Sequence, residues 1–423
     1  SQGGSFQGRL AFLSMTKVFI QTYGCQMNVA DSDEMFAHLA SRGAQYTENL
    51  DEADIALINT CTVRDHAEHR AVSFLGRLSA WKQEKPGRVI IFAGCAAQRL
   101  GKTLQKKYPF LDIISGAKEI EHFADTLDAS GLFNAPGQDT HQLAGGLTGY
   151  VTIMRGCNFA CSYCIVPSVR GPVKCLPAED ILADAAQKAQ AGAKEIMLLG
   201  QTVNAYQFEN TSFADLLNQV SRLPGVERVR FTSPHPIYFT PEFLDAIKDN
   251  PKIARHVHLP VQSGSTKVLQ EMKRGYTRET LLEKLDALKA RGFAVSTDII
   301  VGFPTETEED FQETLSLVDR AGFSAAYCFK YSPRAGTPAA QMKLWPEKIL
   351  EQRLDILLNK VRGLAESAYA ARVGQPIRIL METPNKGRTS DNFWAQTKKS
   401  YRVGSVVDSV AEASDDTLLL ARD

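Results

Sequence analysis

Gly156-Cys157-Asn158-Phe159-Ala160-Cys161-Ser162-Tyr163-Cys164 sets three thiols within eight residues, with no fourth cysteine at a matching offset. Zinc sites normally close with four protein ligands, whereas a cysteine-held iron–sulfur cluster can take three irons and leave one open to a small molecule. A zinc clip or three unrelated thiols is the alternative that the spacing alone leaves open. What surrounds the stretch decides the fold. From Tyr150 to Tyr331 apolar strand-like runs alternate with helical patterns about six times. The strand runs are Tyr150–Met154, Glu195–Leu199, Arg228–Thr232, His256–Leu259, Ala294–Val301 and Ala325–Tyr331, with helices such as Ala178–Gln190, Phe213–Arg222 and Arg278–Ala290 between them. Repeated βα units of this kind close into a full or partial barrel whose site lies at the strand carboxyl ends.

The polar runs fall at those ends: Gly200-Gln201-Thr202-Val203-Asn204, Ser233-Pro234-His235-Pro236, Pro260-Val261-Gln262-Ser263-Gly264-Ser265, Gly302-Phe303-Pro304-Thr305-Glu306-Thr307 and Ser332-Pro333-Arg334-Ala335-Gly336-Thr337. Each alone is weak, because loops are polar anyway; together they ring the mouth at which the cysteine loop belongs. His258 reads as a satisfied buried histidine. Asp298, on the apolar strand Thr297-Asp298-Ile299-Ile300-Val301, needs a partner, which either a structural hydrogen bond or a functional role supplies.

Upstream, Lys17–Tyr23, Asp54–Asn59 and Arg88–Ala93 read as strands, each followed by a helical pattern, with Asp31 or Ser32 as candidate cap of the first helix and Arg64–Lys85 as the second. This alternation predicts an open parallel sheet covered on both faces. Cys25, Cys61 and Cys95 each stand just past a strand, in Thr22-Tyr23-Gly24-Cys25-Gln26-Met27-Asn28, Asn59-Thr60-Cys61-Thr62-Val63-Arg64 and Ala93-Gly94-Cys95-Ala96-Ala97-Gln98. Open parallel sheets bind ligands at that edge. A buried cysteine is often only a small hydrophobe, but three at one topological position indicate a second three-thiol cluster site.

Downstream, Pro346–Tyr369 carries one apolar stripe and reads as a packing helix. Short runs Ile377–Met381, Phe393–Thr397, Ser405–Ala411 and Thr417–Ala421, with a turn at Pro384-Asn385-Lys386-Gly387, predict a small β-barrel. Arg378, Lys386, Arg388, Lys398, Lys399 and Arg402 interleave with Phe393, Trp394 and Tyr401, while Asp408, Glu412, Asp415 and Asp416 come later. Basic and aromatic residues together suit phosphate contact and stacking of unpaired bases; a merely solvated face is the alternative. The 423 residues are 44% apolar and 23% charged with zero net charge, an ordinary globular composition. No apolar run reaches the roughly 18 residues of a membrane span. Eight cysteines in a chain this long do not form a secreted disulfide framework and point to a reducing cytoplasm. Ser1-Gln2-Gly3-Gly4-Ser5 lacks a signal-peptide layout, and the fold reading starts at Met15.

With these segments in hand, the chain resembles the radical S-adenosylmethionine (SAM) methylthiotransferases from about Lys17 onward. The resemblance rests on the three cysteine stretches, on Cys164-Ile165-Val166-Pro167, on Val203-Asn204-Ala205-Tyr206 and on Ser233-Pro234-His235-Pro236. It implies an α/β protein of three parts: an open parallel α/β sheet domain at 15–131, a partial (β/α)6 radical SAM barrel at 143–370, and an antiparallel β-barrel of the TRAM type at 373–423. Within the family the chain looks like the branch that methylthiolates carbon 2 of N6-isopentenyladenosine at position 37 of tRNA. The branch acting on threonylcarbamoyladenosine shares more of the pattern than the ribosomal-protein branch does. A non-catalytic iron–sulfur RNA-binding protein is the competing class.

The resemblance further implies two [4Fe–4S] clusters, one on Cys157, Cys161 and Cys164 and an auxiliary one on Cys25, Cys61 and Cys95. One SAM would be the methyl donor and another the source of the 5′-deoxyadenosyl radical. Together with position at strand ends it makes Tyr163, Gln201, Ser233, Gln262 and Gly302 candidate SAM contacts, and Arg388, Lys398 and Lys399 candidate RNA contacts. The implied partners are a tRNA anticodon stem-loop carrying isopentenyladenosine and an electron donor such as flavodoxin or ferredoxin, with no membrane. Two departures stand out: Cys175-Leu176-Pro177 where such proteins have Ser-Arg-Pro, and Thr202 where Asn is common. Cys175 and Cys328 match no cluster position.

Overall fold

The computed structural model describes residues 16–62, 65–133, 137, 146–415 and 417–422. Ser1–Ser5, Met15, Val63, Arg64, the expected boundary at 143 and Asp416 lie outside that set. The chain divides into two compact units, Ser1–Ala144 with Ser168–Gly171, and Gly145–Pro167 with Pro172–Asp423.

In the first unit, β1 (Thr16–Tyr23), β2 (Ala44–Thr47), β3 (Ile55–Thr60), β4 (Val89–Gly94) and β5 (Ile113–Gly116) form a parallel sheet in the order β2-β1-β3-β4-β5. Side chains alternate across it. Ile55, Leu57, Val89 and Ile91 meet Met35, Phe36 and Leu39 of α1 (Gln26–Ala40), whereas Ala56, Ile58, Ile90 and Phe92 meet Phe74, Leu75 and Leu78 of α2 (Asp65–Glu84). Every residue of β3 and β4 is buried, so the two central strands read as unbroken apolar runs. Full burial of each large side chain contributes about 1.5–3 kcal/mol. The edge strands β2 and β5 were not expected. They are four residues each, and Tyr46 is exposed, so backbone pairing at the sheet edge specifies them more than any apolar pattern.

The first helix starts earlier than expected. Cys25 is its N-cap, with Asn28 returning a side-chain oxygen to the Cys25 N–H at 3.3 Å. Asp31 lies inside the helix and directs its carboxylate to Arg170 instead of capping.

The second unit is built on six parallel strands in two runs of three: Thr148–Thr152, Glu195–Leu199 and Arg228–Phe231, then His256–His258, Ala294–Val301 and Ala325–Lys330. A single bridge, Val229 to Ile253, joins the halves into a partial barrel. Val151, Ile196, Leu198, Val229, Phe231, Val257 and Ile299 face outward into the helix-covered core. The inward positions are unlike the branched aliphatic layers of a closed (β/α)8 barrel. They carry Tyr150, Met197, Arg230, His258, Asp298 and Tyr327.

The tail is a closed barrel of Pro376–Thr383, Lys386–Thr389, Trp394–Gln396, Val406–Asp415 and Leu418–Ala421. The expected turn at Pro384–Gly387 is shorter, and Lys386 opens a strand. Gly387 packs so closely on Leu380 that an added Cβ would lie 2.1 Å from its carbonyl oxygen. Buried Glu195 accepts from Thr148 at 3.1 Å, from Arg230 at 2.7 Å and from Arg228; the two arginines donate in turn to the backbone carbonyls of Arg388 and Thr389. The tail barrel is thereby fastened to the amino-terminal ends of the first three strands, the end opposite the expected mouth.

Burial by itself would raise the Glu195 pKa, but Arg230 and Arg228 outweigh it and hold the carboxyl below its ordinary range. Burial, with Arg230 beside it, pushes Arg228 down to about 10. Glu195→Gln is expected to cost about 2–3 kcal/mol in urea unfolding above neutral pH. A depressed carboxyl stabilises above its unfolded pKa of about 4.3, and the contribution is lost as pH falls through the lower native value. The difference between wild type and variant should therefore shrink on acidification.

Candidate functional site

Three adjacent strands deliver the first cysteine trio. Tyr23 pairs with Thr60 and Thr60 with Gly94, which aligns Cys25, Cys61 and Cys95 just past the carboxyl ends of β1, β3 and β4. Gly94 has φ +94°, and a Cβ there would sit 2.2 Å from Asn59 Oδ1 and 2.6 Å from the Thr60 carbonyl, so only glycine admits this turn. Beneath the cysteines runs a buried polar network. Asn28 Nδ2 donates to Asn59 Oδ1 at 3.2 Å, Asn59 Nδ2 donates to Ser32 Oγ at 3.0 Å, and Ser32 meets Thr22 at 2.7 Å.

Arg170 joins this unit from the segment that follows Cys164 in the chain. Its Nη2 donates to Asp31 Oδ2 at 2.8 Å, with both side chains buried. Among the described residues Nη1 has no hydrogen-bond partner, and the guanidinium charge bears on Cys95 and Cys25. A hydrogen bond from the Cys61 thiol, aided by Arg170, brings Cys25 down to about 6 against the effect of burial. Burial pushes Cys95 up.

The second trio lies on the loop after the first barrel strand. Cys161 is buried and Cys157 and Cys164 are half-buried. The Cys164 N–H donates to the Cys161 carbonyl at 3.1 Å, curling the loop, and burial pushes the Cys164 thiol up to about 11. Arg274 Nη1 points at Cys161 Sγ at 3.4 Å and Thr202 Oγ1 stands 3.6 Å from Cys157 Sγ. Arg274 is itself held by Tyr276 Oη at 3.0 Å and the Pro260 carbonyl at 3.2 Å. Phe159 stacks on His235 at 4.1 Å between ring centroids, and burial drives His235 down to about 3, a neutral ring.

Among the described residues, no three His, Cys, Asp or Glu side chains converge on a single metal ion. Both trios offer thiols only; Arg274 turns an N–H toward Cys161 Sγ, and the buried Arg170 charge bears on Cys95 and Cys25. That donor set suits iron–sulfur clusters, whose sulfurs take hydrogen bonds and whose charge a cation offsets.

A family model described as the radical SAM superfamily matches residues 151–318, and one described as uncharacterized protein family UPF0004 matches residues 17–116. The tRNA-2-methylthio-N(6)-dimethylallyladenosine synthase of Thermoanaerobacter pseudethanolicus is 40% identical, over 92% of this chain and 87% of the relative. The chain belongs to this synthase family. A Neisseria meningitidis member is also 40% identical, over 90% of this chain and 91% of its own length. In fold alone, the chain is similar to a solved radical S-adenosylmethionine methyltransferase, TsrM, from Kitasatospora setae. That structure, with cobalamin and a [4Fe–4S] cluster bound, gives a TM-score of 0.60 at 12% identity, covering 78% of this chain and 77% of that one.

The family's expected three-part α/β architecture is the one observed, except that the tail barrel, expected antiparallel, closes through a parallel pairing of Trp394–Gln396 with Leu418–Ala421. Ser233 (φ 56°) and Gln262 (φ 70°) are among five non-glycine residues with positive φ in the described part of the chain, and both fall at barrel strand ends. Strain of this kind collects at ligand sites. Among the described residues the buried Oε1 of Gln201 has no hydrogen-bond partner, and Tyr163 packs with Met272 and Phe303. Gly302 donates its N–H to Glu306 Oε2 at 2.6 Å, and Arg353 braces the same carboxylate oxygen at 2.7 Å. Burial raises Glu306 to about 7.

Of the RNA candidates, Lys398 is exposed and pairs with Glu412 at 3.1 Å, and Lys399 is exposed. Arg388 is engaged more fully, lying 4.2 Å over the Trp394 ring and 3.4 Å from Glu382. Asp298 meets His258 Nε2 at 3.2 Å, and Ser296 holds the other nitrogen of that ring at 2.9 Å. Sequence reading missed Arg170, Asp31 as its partner, and Arg274. The one available signal was Thr202, noted as a departure and now found beside Cys157. Among the described residues, no helix is long and apolar enough to cross a membrane.

Proposed function

We propose that this chain adds a methylthio group to carbon 2 of N6-isopentenyladenosine at position 37 of the tRNA anticodon loop. Cys157, Cys161 and Cys164 would hold one [4Fe–4S] cluster, and Cys25, Cys61 and Cys95 the other. The supporting observation is two thiol trios at the carboxyl ends of two parallel sheets, in a chain that matches so named a relative across most of its length. When bound, the clusters and SAM supply the electron, the radical and the sulfur that an unactivated aromatic C–H bond demands.

The protein's own part is position and charge. Gly94 lets the backbone turn tightly beside the auxiliary trio, and the Asn28–Asn59 pair fixes the Cys25 turn. Arg274 and Thr202 direct N–H and O–H toward the sulfurs of the other trio. Tyr163, Gln201, Ser233, Gln262 and Gly302 line the SAM side of the mouth in this reading. The three-part division at 15–131, 143–370 and 373–423 belongs to it. So do a flavodoxin- or ferredoxin-like electron donor and a cytoplasmic setting.

Mass spectrometry of tRNA nucleosides from cells with and without the protein is the direct test. Loss of 2-methylthio-isopentenyladenosine is expected, and loss of the threonylcarbamoyl counterpart instead would reassign the branch. For the tail, Lys398→Ala with Lys399→Ala should weaken tRNA binding and flatten the log–log salt dependence by roughly two units, at about 0.9 for each phosphate no longer neutralised. An unchanged slope would remove these lysines from the RNA interface.

A further inference from the structure

The inward face of the last barrel strands is unfinished as a protein core. Asp298 pairs with Tyr327 and Ile300 with Phe329 in the strand register, so these four side chains share one face. Tyr327 is 58% and Phe329 45% exposed, on a strand whose opposite face carries Ala326 and Cys328 against the apolar core. Strands of a parallel barrel are ordinarily buried on both faces, so two largely open aromatic rings one above the other leave this face unfinished among the described residues. Asp298 beside them binds His258 through Oδ2, and no bond among the described residues engages its Oδ1. Tyr327 meets the His258 ring edge-on at 5.7 Å, which steadies both. Gln262, bridged to Ile299, and Gly302, next after Val301, place this face directly below the mouth.

We infer that Tyr327, Phe329 and Asp298 form the seat for the N6 side of the substrate adenine and set which N6 substituent is accepted. The inference rests on the function proposed above and adds the residues that choose the substrate. An N6-isopentenyl adenine has an aromatic face, a branched apolar tail and one remaining N6–H. The two rings offer stacking and apolar contact, and the open carboxylate oxygen accepts the N–H. A threonylcarbamoyl substituent ends in a carboxylate and lacks the apolar tail. Asp298 would face it with like charge, so the same residues that favour one substituent reject the other.

The test uses the holoprotein and three anticodon stem-loops, bearing isopentenyladenosine, adenosine or threonylcarbamoyladenosine, with binding read by fluorescence anisotropy. Phe329→Ala and Tyr327→Ala should each weaken binding of the isopentenylated loop about tenfold and that of the unmodified loop, which lacks the apolar tail, by clearly less. Because both rings are exposed, neither truncation should move the unfolding midpoint appreciably. Asp298→Asn should gain about tenfold for the threonylcarbamoyl loop. Equal losses on all three loops, or no loss on the isopentenylated one, would overturn the seat. Wild type that methylthiolates the isopentenylated loop while the variants discriminate as it does defeats this inference alone. Wild type that forms no methylthio product defeats the function on which it stands.

Discussion

Replacing Cys25, Cys61 and Cys95 together by alanine is expected to abolish methylthiolation while reductive formation of 5′-deoxyadenosine from SAM continues. The two trios belong to different compact units, each cradled by its own sheet, so emptying one leaves the other's loop intact. The Cys157 loop lies at the barrel mouth, with Arg274 and Thr202 turned to its sulfurs and the strained Ser233 and Gln262 at other strand ends of the same barrel. The converse triple replacement of Cys157, Cys161 and Cys164 should remove 5′-deoxyadenosine altogether. Either variant should retain about half the iron of the wild type after anaerobic reconstitution, since each trio accounts for one cluster of two. Product analysis by mass spectrometry, with iron and sulfide counts, gives the answer. Loss of 5′-deoxyadenosine in the Cys25/Cys61/Cys95 variant, with its other cluster present, would reverse the assigned roles.

Asp31→Ala is expected to destabilise the protein by about 3–5 kcal/mol, because it leaves the Arg170 charge buried without its counter-ion. Arg170 and Asp31 are 5% and 0% exposed, so water does not replace the lost carboxylate. The double variant Asp31→Leu with Arg170→Met should recover most of that loss, as apolar replacement of a whole buried pair often does. Stability is then restored without the cation beside Cys95 and Cys25. A redox titration of the auxiliary cluster in the double variant should show a more negative midpoint potential, since a buried positive charge favours the reduced, more negative cluster. An unchanged potential would make the pair purely structural. Full stability of the single variant would contradict the burial on which the argument stands.

Much of the architecture was legible because it is written locally. β3 and β4 are buried on both faces and so appear as unbroken apolar runs, and each is followed at once by a cysteine. Parallel strands in one sheet share a carboxyl edge, so three such cysteines had to gather there. The Cys157 loop is shorter still, its three thiols separated by five residues in all. The edge strands β2 and β5 and the strand from Lys386 were not legible. They are too short for a period, and their partners' backbones specify them.

The residues around the sulfurs were out of reach for a different reason. Arg170 meets Asp31 across 139 positions and Arg274 meets Cys161 across 113, and an arginine's charge carries no mark of which distant group it will neutralise. Tyr327 and Phe329 read as ordinary strand residues until the barrel was seen to leave their face open. Sequence by itself thus determined which thiols gather and on which kind of sheet edge, because strand periodicity and loop spacing are local. Only the tertiary structure decided which charges face those thiols and which aromatic rings stay uncovered. Both depend on long-range packing, where burial makes an unpaired charge or an open ring costly enough to carry meaning.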